Sequence, residues 1–227
     1  MCMIVIMKNN QNHTFLKNYF WLILGLILIV STMGLVSIFD TDQQQQLLKE
    51  HGLFESLTVY LYILCLILIL FFWSWQKIIS KWYLPTLIVL FAFRELDYDK
   101  VYFTHGVLKS RQYFSDLVSF PELITSIFIL LFIIVVLISI ALKERKSFIK
   151  GIKSYEQPQL AILTSIVLVA ITKTIDGAER KFSIDLSDSI ERLTMIIEEV
   201  GEMGIPIMFA IAIISSQKNR FKIFFKK

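Results

Sequence analysis

The chain has 227 residues, 56% of them hydrophobic and only 19% charged, with a mean hydropathy of +0.64 and a formal net charge of +4. A water-soluble fold of this composition would leave too much apolar surface against water, so an ordinary soluble domain is excluded and lipid is the fitting solvent. The modest positive charge reflects where basic residues cluster, and no nucleic-acid partner is expected from it.

In chain order, residues 1–19 read as a cytoplasmic segment, with Met7 a second candidate start besides Met1. The first apolar run, 20–39, is long enough to span, and no small-residue cleavage site follows it, so no removed signal peptide is expected. A hydrocarbon core of about 30 Å takes roughly 20 helical residues. That ruler places further spans at about 53–74, 82–100, 120–142, 159–175 and 191–214, followed by a basic tail at 215–227. The expected fold is therefore all-α, a single membrane bundle over 20–214 with six transmembrane helices and both termini cytoplasmic. Ser119-Phe120-Pro121-Glu122 has the form of a capping box at the start of the fourth span, and Asp188-Ser189-Ile190-Glu191 repeats it before the sixth. Cys2 and Cys65 are the only cysteines, one predicted cytoplasmic and one within a span, so no disulfide is expected.

Orientation follows from basic residues. With the N-terminus inside, the Lys143–Lys153 loop, Lys77, Lys81 and the C-terminal tail all fall on the cytoplasmic side, as the positive-inside rule requires. All four tryptophans, Trp21, Trp73, Trp75 and Trp82, then sit at the inner interface. Of the 19 acids, only Glu144 and Glu156 fall inside. The predicted location is a bacterial cytoplasmic membrane, with the lipid bilayer as the first partner.

Acids within spans are costly and usually face a cavity or a charge partner. Glu55 lies near the outer end of the second span. Arg94, Glu95, Asp97, Asp99 and Lys100 crowd the outer end of the third. Lys173, Asp176, Arg180 and Lys181 end the fifth, and Glu198, Glu199 and Glu202 enter the sixth. On an unbroken third helix, Arg94 and Asp97 share one face and Glu95 and Asp99 another. Glu198 and Glu202 are one turn apart, and Arg94 and Arg180 are candidate partners for them. Pro206 removes the backbone donor that would bond the carbonyl of Glu202. The loop after the third span adds His105 and Arg111.

No motif names a reaction. Asp176-Gly177-Ala178-Glu179-Arg180 departs from the DG-x-x-A-R core of CDP-alcohol phosphotransferases. Glu198-Glu199 lacks the arginine and histidines of CAAX-type proteases. The expected function is a membrane-embedded enzyme acting on a lipid or lipid-linked substrate, from a site facing outwards. Glu198, Glu202, Glu95 and Asp97 are the candidate catalytic groups. Arg94, His105, Arg111, Asp176, Arg180, Lys181, Glu55 and Glu199 are candidates for holding a lipid-like or anionic small molecule. A proton- or cation-coupled transporter and a non-catalytic docking subunit are the alternatives. Metal, cofactor and oligomeric state stay open, a homo-oligomer included.

Overall fold

Long apolar runs with few breakers dictate helices. The chain's computed structural model, which describes residues 2–48, 52–176 and 188–217, contains helices and no strand among those residues. Helix α1 covers Cys2–Ile38, α2 Thr41–Leu48, α3 Leu53–Phe72, α4 Trp75–Ser80 and α5 Tyr83–Glu95. Helix α6 covers Tyr98–Tyr102, α7 Arg111–Phe114, α8 Phe120–Lys153, α9 Gln157–Asp176 and α10 Asp188–Ser215. Among the described residues, four stretches are long and apolar enough to cross a membrane: Tyr19–Ile38, Thr41–Phe72, Phe120–Lys153 and Gln157–Ile175. They fit a membrane protein.

Two expected spans change form. The stretch 82–100 is not one helix: α5 stops at Glu95, and Asp97 takes a left-handed conformation at φ 48° before α6 begins. Aspartate tolerates that region better than most residues, and a left-handed residue ends a helix while satisfying its last carbonyls. Asp97 N–H bonds the carbonyl of Arg94 at the break. The shared-face arithmetic for Arg94, Asp97, Glu95 and Asp99 therefore does not apply. The fourth span, expected to end near 142, continues as helix through the basic stretch to Lys153, because lysine, arginine and glutamate are good helix formers.

The chain divides into two compact units, residues 1–54 with 151–227, and residues 55–150. In the first unit α1, α9 and α10 pack together, with α2 against α10. Close backbone approach is set by small residues, as is usual between helices in lipid. A Cβ on Gly201 would stand 2.7 Å from Thr172 Cγ2, and one on Gly204 2.9 Å from Ile29 Cδ1. Val200, Ile205, Pro206 and Met208 are fully buried beside them, so α10 is the core helix of this unit.

The second unit holds most of α3, all of α4 to α7 and most of α8. Tyr62 of α3 stacks on Phe91 of α5 at 5.9 Å, and Trp82 stacks on Phe132 of α8 at 6.3 Å. At the start of α5, Glu144 Oε1 accepts hydrogen bonds from Lys81 Nζ and the Tyr83 hydroxyl, both at 2.6 Å. Lys143 Nζ sits 5.1 Å from the Tyr83 ring. Long side chains bridge α5 and α8, with little close approach of their backbones among the described residues. That spacing leaves room between them.

Candidate functional site

The room is an open cavity of about 920 Å³ within the second unit. Its size is at the upper end of the range of about 300–1,000 Å³ usual for small-molecule sites. Leu87, Leu90 and Phe91 of α5 form one wall, and Ile129, Ile133 and Leu137 of α8 the other. Both sets repeat at helical spacing, so each is a single apolar stripe. With Glu122 and Thr125, which also line the cavity, the α8 stripe runs about 22 Å at 1.5 Å per residue.

Polarity is confined to one end. Arg94 near the end of α5, Asp99 of α6 and Glu122 in the first turn of α8 are the charged groups on the wall among the described residues. The helix break at Asp97 produces this arrangement by turning α6 away from the axis of α5. Phe93, Tyr98 and Tyr102 form an aromatic ladder there: Phe93 meets Tyr98 edge-on at 5.1 Å, and Tyr98 stacks on Tyr102 at 5.8 Å. Arg94 Nη1 lies 3.9 Å from Oε1 of buried Glu95.

The segment between α6 and α8 contributes Phe103, Val107 and Leu108 to the same end. It is held by a polar network around Glu122, in which only Gln112 is fully buried. Glu122 Oε1 accepts from the Thr104 backbone N–H at 2.6 Å and from Gln112 Nε2 at 2.9 Å, and the Thr104 hydroxyl donates to Oε2. Gln112 Oε1 in turn accepts from the His105 backbone N–H at 2.9 Å. The expected capping role of Glu122 is also present, its carboxylate accepting from the Ser119 backbone. The Tyr113 hydroxyl donates to the Val107 carbonyl at 2.6 Å, and burial pushes its phenol above the ordinary value, so it stays a donor at neutral pH. Gly106, at φ 83°, closes the loop on α6; a Cβ there would lie 2.7 Å from Asp99 Oδ2.

Of the residues singled out by sequence, Arg94 lines the cavity and Glu95 is buried beside it. Asp97 serves the helix break. His105 takes part through its backbone, and Arg111 is exposed in the first turn of α7. Glu55 is half-buried in the first turn of α3. Arg180 and Lys181 lie outside the described residues, as does the side chain of Asp176. Asp99, Glu122, Gln112 and the α8 stripe are the residues the sequence reading left out of its site. The spacing of Glu122, Thr125, Ile129 and Ile133 was the available signal. Among the described residues no three of His, Cys, Asp and Glu come together as a metal-binding group, so His105 with two carboxylates forms no such set.

Glu198, Glu199 and Glu202 belong to the first unit and are half-buried on α10. One cation beside Glu202 is Lys173 of α9, with Nζ 3.2 Å from Oε1. Its side chain is 40% exposed, so screening limits the coupling to about 0.5–1 kcal/mol. Lys173→Gln and Glu202→Gln are each expected to lower the melting temperature in detergent, and the double variant by less than their sum. Additive losses would show that the pair does not interact.

The chain matches no protein-family model, no curated protein and no solved structure.

Proposed function

We propose that this chain is a multi-pass protein of the bacterial cytoplasmic membrane that takes a lipid or lipid-linked molecule into the cavity between α5 and α8 and acts on its polar end from the outer face. The observation that carries this reading is the cavity's polarity: a long apolar trough between two helices, with arginine and carboxylates at one end only. An amphiphile has that pattern, with a chain for the trough and a headgroup for the charged end. Arg94 is suited to an anionic oxygen, and Asp99 is a candidate for proton transfer at the headgroup.

The six-span topology with both termini inside belongs to the same reading. Helix α10, with 28 residues, has the length to cross despite its acids. Helix α5 covers only about 20 Å with its 13 residues, less than a bilayer core of about 30 Å. Non-helical backbone at membrane depth is tolerated where it lines a cavity, and here the chain beyond α5 lines the polar end of one. In this orientation the Lys81–Glu144 end faces the cytoplasm.

The test is photolabelling of the full chain in nanodiscs with a phospholipid carrying a photoactivatable acyl chain, with sites mapped by peptide mass spectrometry. Enrichment on Ile129, Ile133 and Leu137 over α8 positions off the cavity wall, such as Phe128 and Val135, is expected. Uniform labelling of α8 would overturn the proposal.

A further inference from the structure

We infer that the headgroup recognised at the polar end is zwitterionic, a phosphate joined to a primary ammonium, so that the ligand is an aminophospholipid; this rests on the reading of the cavity as a lipid site. Charge decides the headgroup. One guanidinium and two carboxylates, Arg94, Asp99 and Glu122, are the charged groups on the wall among the described residues. A purely anionic headgroup would find one favourable partner and two repulsive ones. A neutral glyceride would add nothing for the Arg94 guanidinium beyond the Glu95 carboxylate already 3.9 Å away. A zwitterion satisfies both signs.

The division of roles follows from hydrogen bonding. Glu122 already accepts from Thr104 and Gln112 and is committed to holding the loop. Asp99, which faces the same cavity from α6, is the carboxylate that meets the ammonium. Arg94 takes the phosphate, for which its forked donors are matched. The ladder of Tyr98 and Tyr102 presents ring faces at the same end, with both side chains exposed, and aromatic faces attract ammonium groups. Phosphate and ammonium are thus bound by different elements, α5 and α6, whose relative placement is set by the turn at Asp97.

The experiment uses the full chain in nanodiscs containing equal amounts of photoactivatable phosphatidylethanolamine and phosphatidylglycerol with identical acyl chains, so the lipids differ in headgroup alone. Cavity labelling by the ethanolamine lipid is expected to exceed that by the glycerol lipid about fivefold, the scale of one partly exposed ion pair. Asp99→Asn, of the same size, is expected to bring the ratio close to unity while cavity labelling persists. Chain-free glycerophosphoethanolamine in excess is expected to leave the labelling unchanged. Equal labelling by the two lipids in the unaltered protein, or a preference for the glycerol lipid, overturns the headgroup assignment and leaves the lipid cavity standing. Displacement by the chain-free compound overturns the assignment to a membrane lipid. Absence of any enrichment in the cavity defeats the underlying reading instead.

Discussion

Replacing Ile133 with tryptophan is expected to abolish most of the acyl-chain labelling of the cavity. Ile133 sits in the middle of the α8 stripe and is half-buried, with room in front of it rather than a packed neighbour. An indole placed there occupies the trough and denies the ligand chain its contact. Losing roughly 100 Å² of apolar contact at about 25 cal/mol per Å² costs about 2.5 kcal/mol, or roughly seventyfold in occupancy. Ile134→Trp is the matched control: it adds the same bulk one position along, at an exposed residue that is not on the cavity wall. Melting temperatures should stay close for both, because neither side chain is forced into a filled core. If Ile133→Trp labelled as well as the control, the trough would not be where the chain lies.

The helical character and the apolar spans were legible because they depend on runs of like residues, which hydropathy reads directly. The break at Asp97 was not. Residues 94–100 are dense in charge, but nothing in their order distinguishes a helix with a polar end from two helices joined by a left-handed residue. Assuming continuity assigned Asp99 to a face shared with Glu95, whereas the break sends it to the wall of the cavity. The extension of α8 to Lys153 was missed for a related reason: a hydropathy ruler measures lipid solubility, and a helix of good formers continues beyond it.

The site was legible only in part. Charge within a span drew attention to Arg94 and Glu95, and Arg94 does line the cavity. The same criterion favoured Glu198 and Glu202, although Glu202 has a lysine one helix away that gives it an ordinary structural partner. What hydropathy cannot reveal is an absence. The cavity exists because α5 and α8 are joined by long side chains such as Trp82 and Phe132 instead of by small residues. In the first unit, by contrast, Gly201 and Gly204 close the corresponding space.

Gln112→Leu is expected to loosen the segment that covers the polar end of the cavity without disturbing the trough beneath it. Gln112 is fully buried, and both ends of its amide are used, Nε2 donating to Glu122 and Oε1 accepting from the His105 backbone. Leucine has similar volume but supplies neither bond, so the His105 N–H loses this acceptor and Glu122 loses a donor. Losing the bond to the part-buried His105 N–H costs about 1 kcal/mol, which translates to roughly fivefold faster amide exchange for a segment that opens locally. The increase should fall on residues 103–114 and spare Ile129–Leu137, and unchanged protection in 103–114 would disprove the role given to the network. Gln112→Glu sharpens the test, because it keeps an acceptor for His105 but sets a second carboxylate against Glu122. It should therefore loosen the segment while the pH is neutral and recover as the medium is acidified and one of the two acids takes up a proton. Because Phe103, Val107 and Leu108 of this segment complete the cavity wall, both variants should speed lipid exchange into and out of the cavity. The ethanolamine lipid should still be preferred over the glycerol lipid, since Arg94 and Asp99 are left in place on α5 and α6.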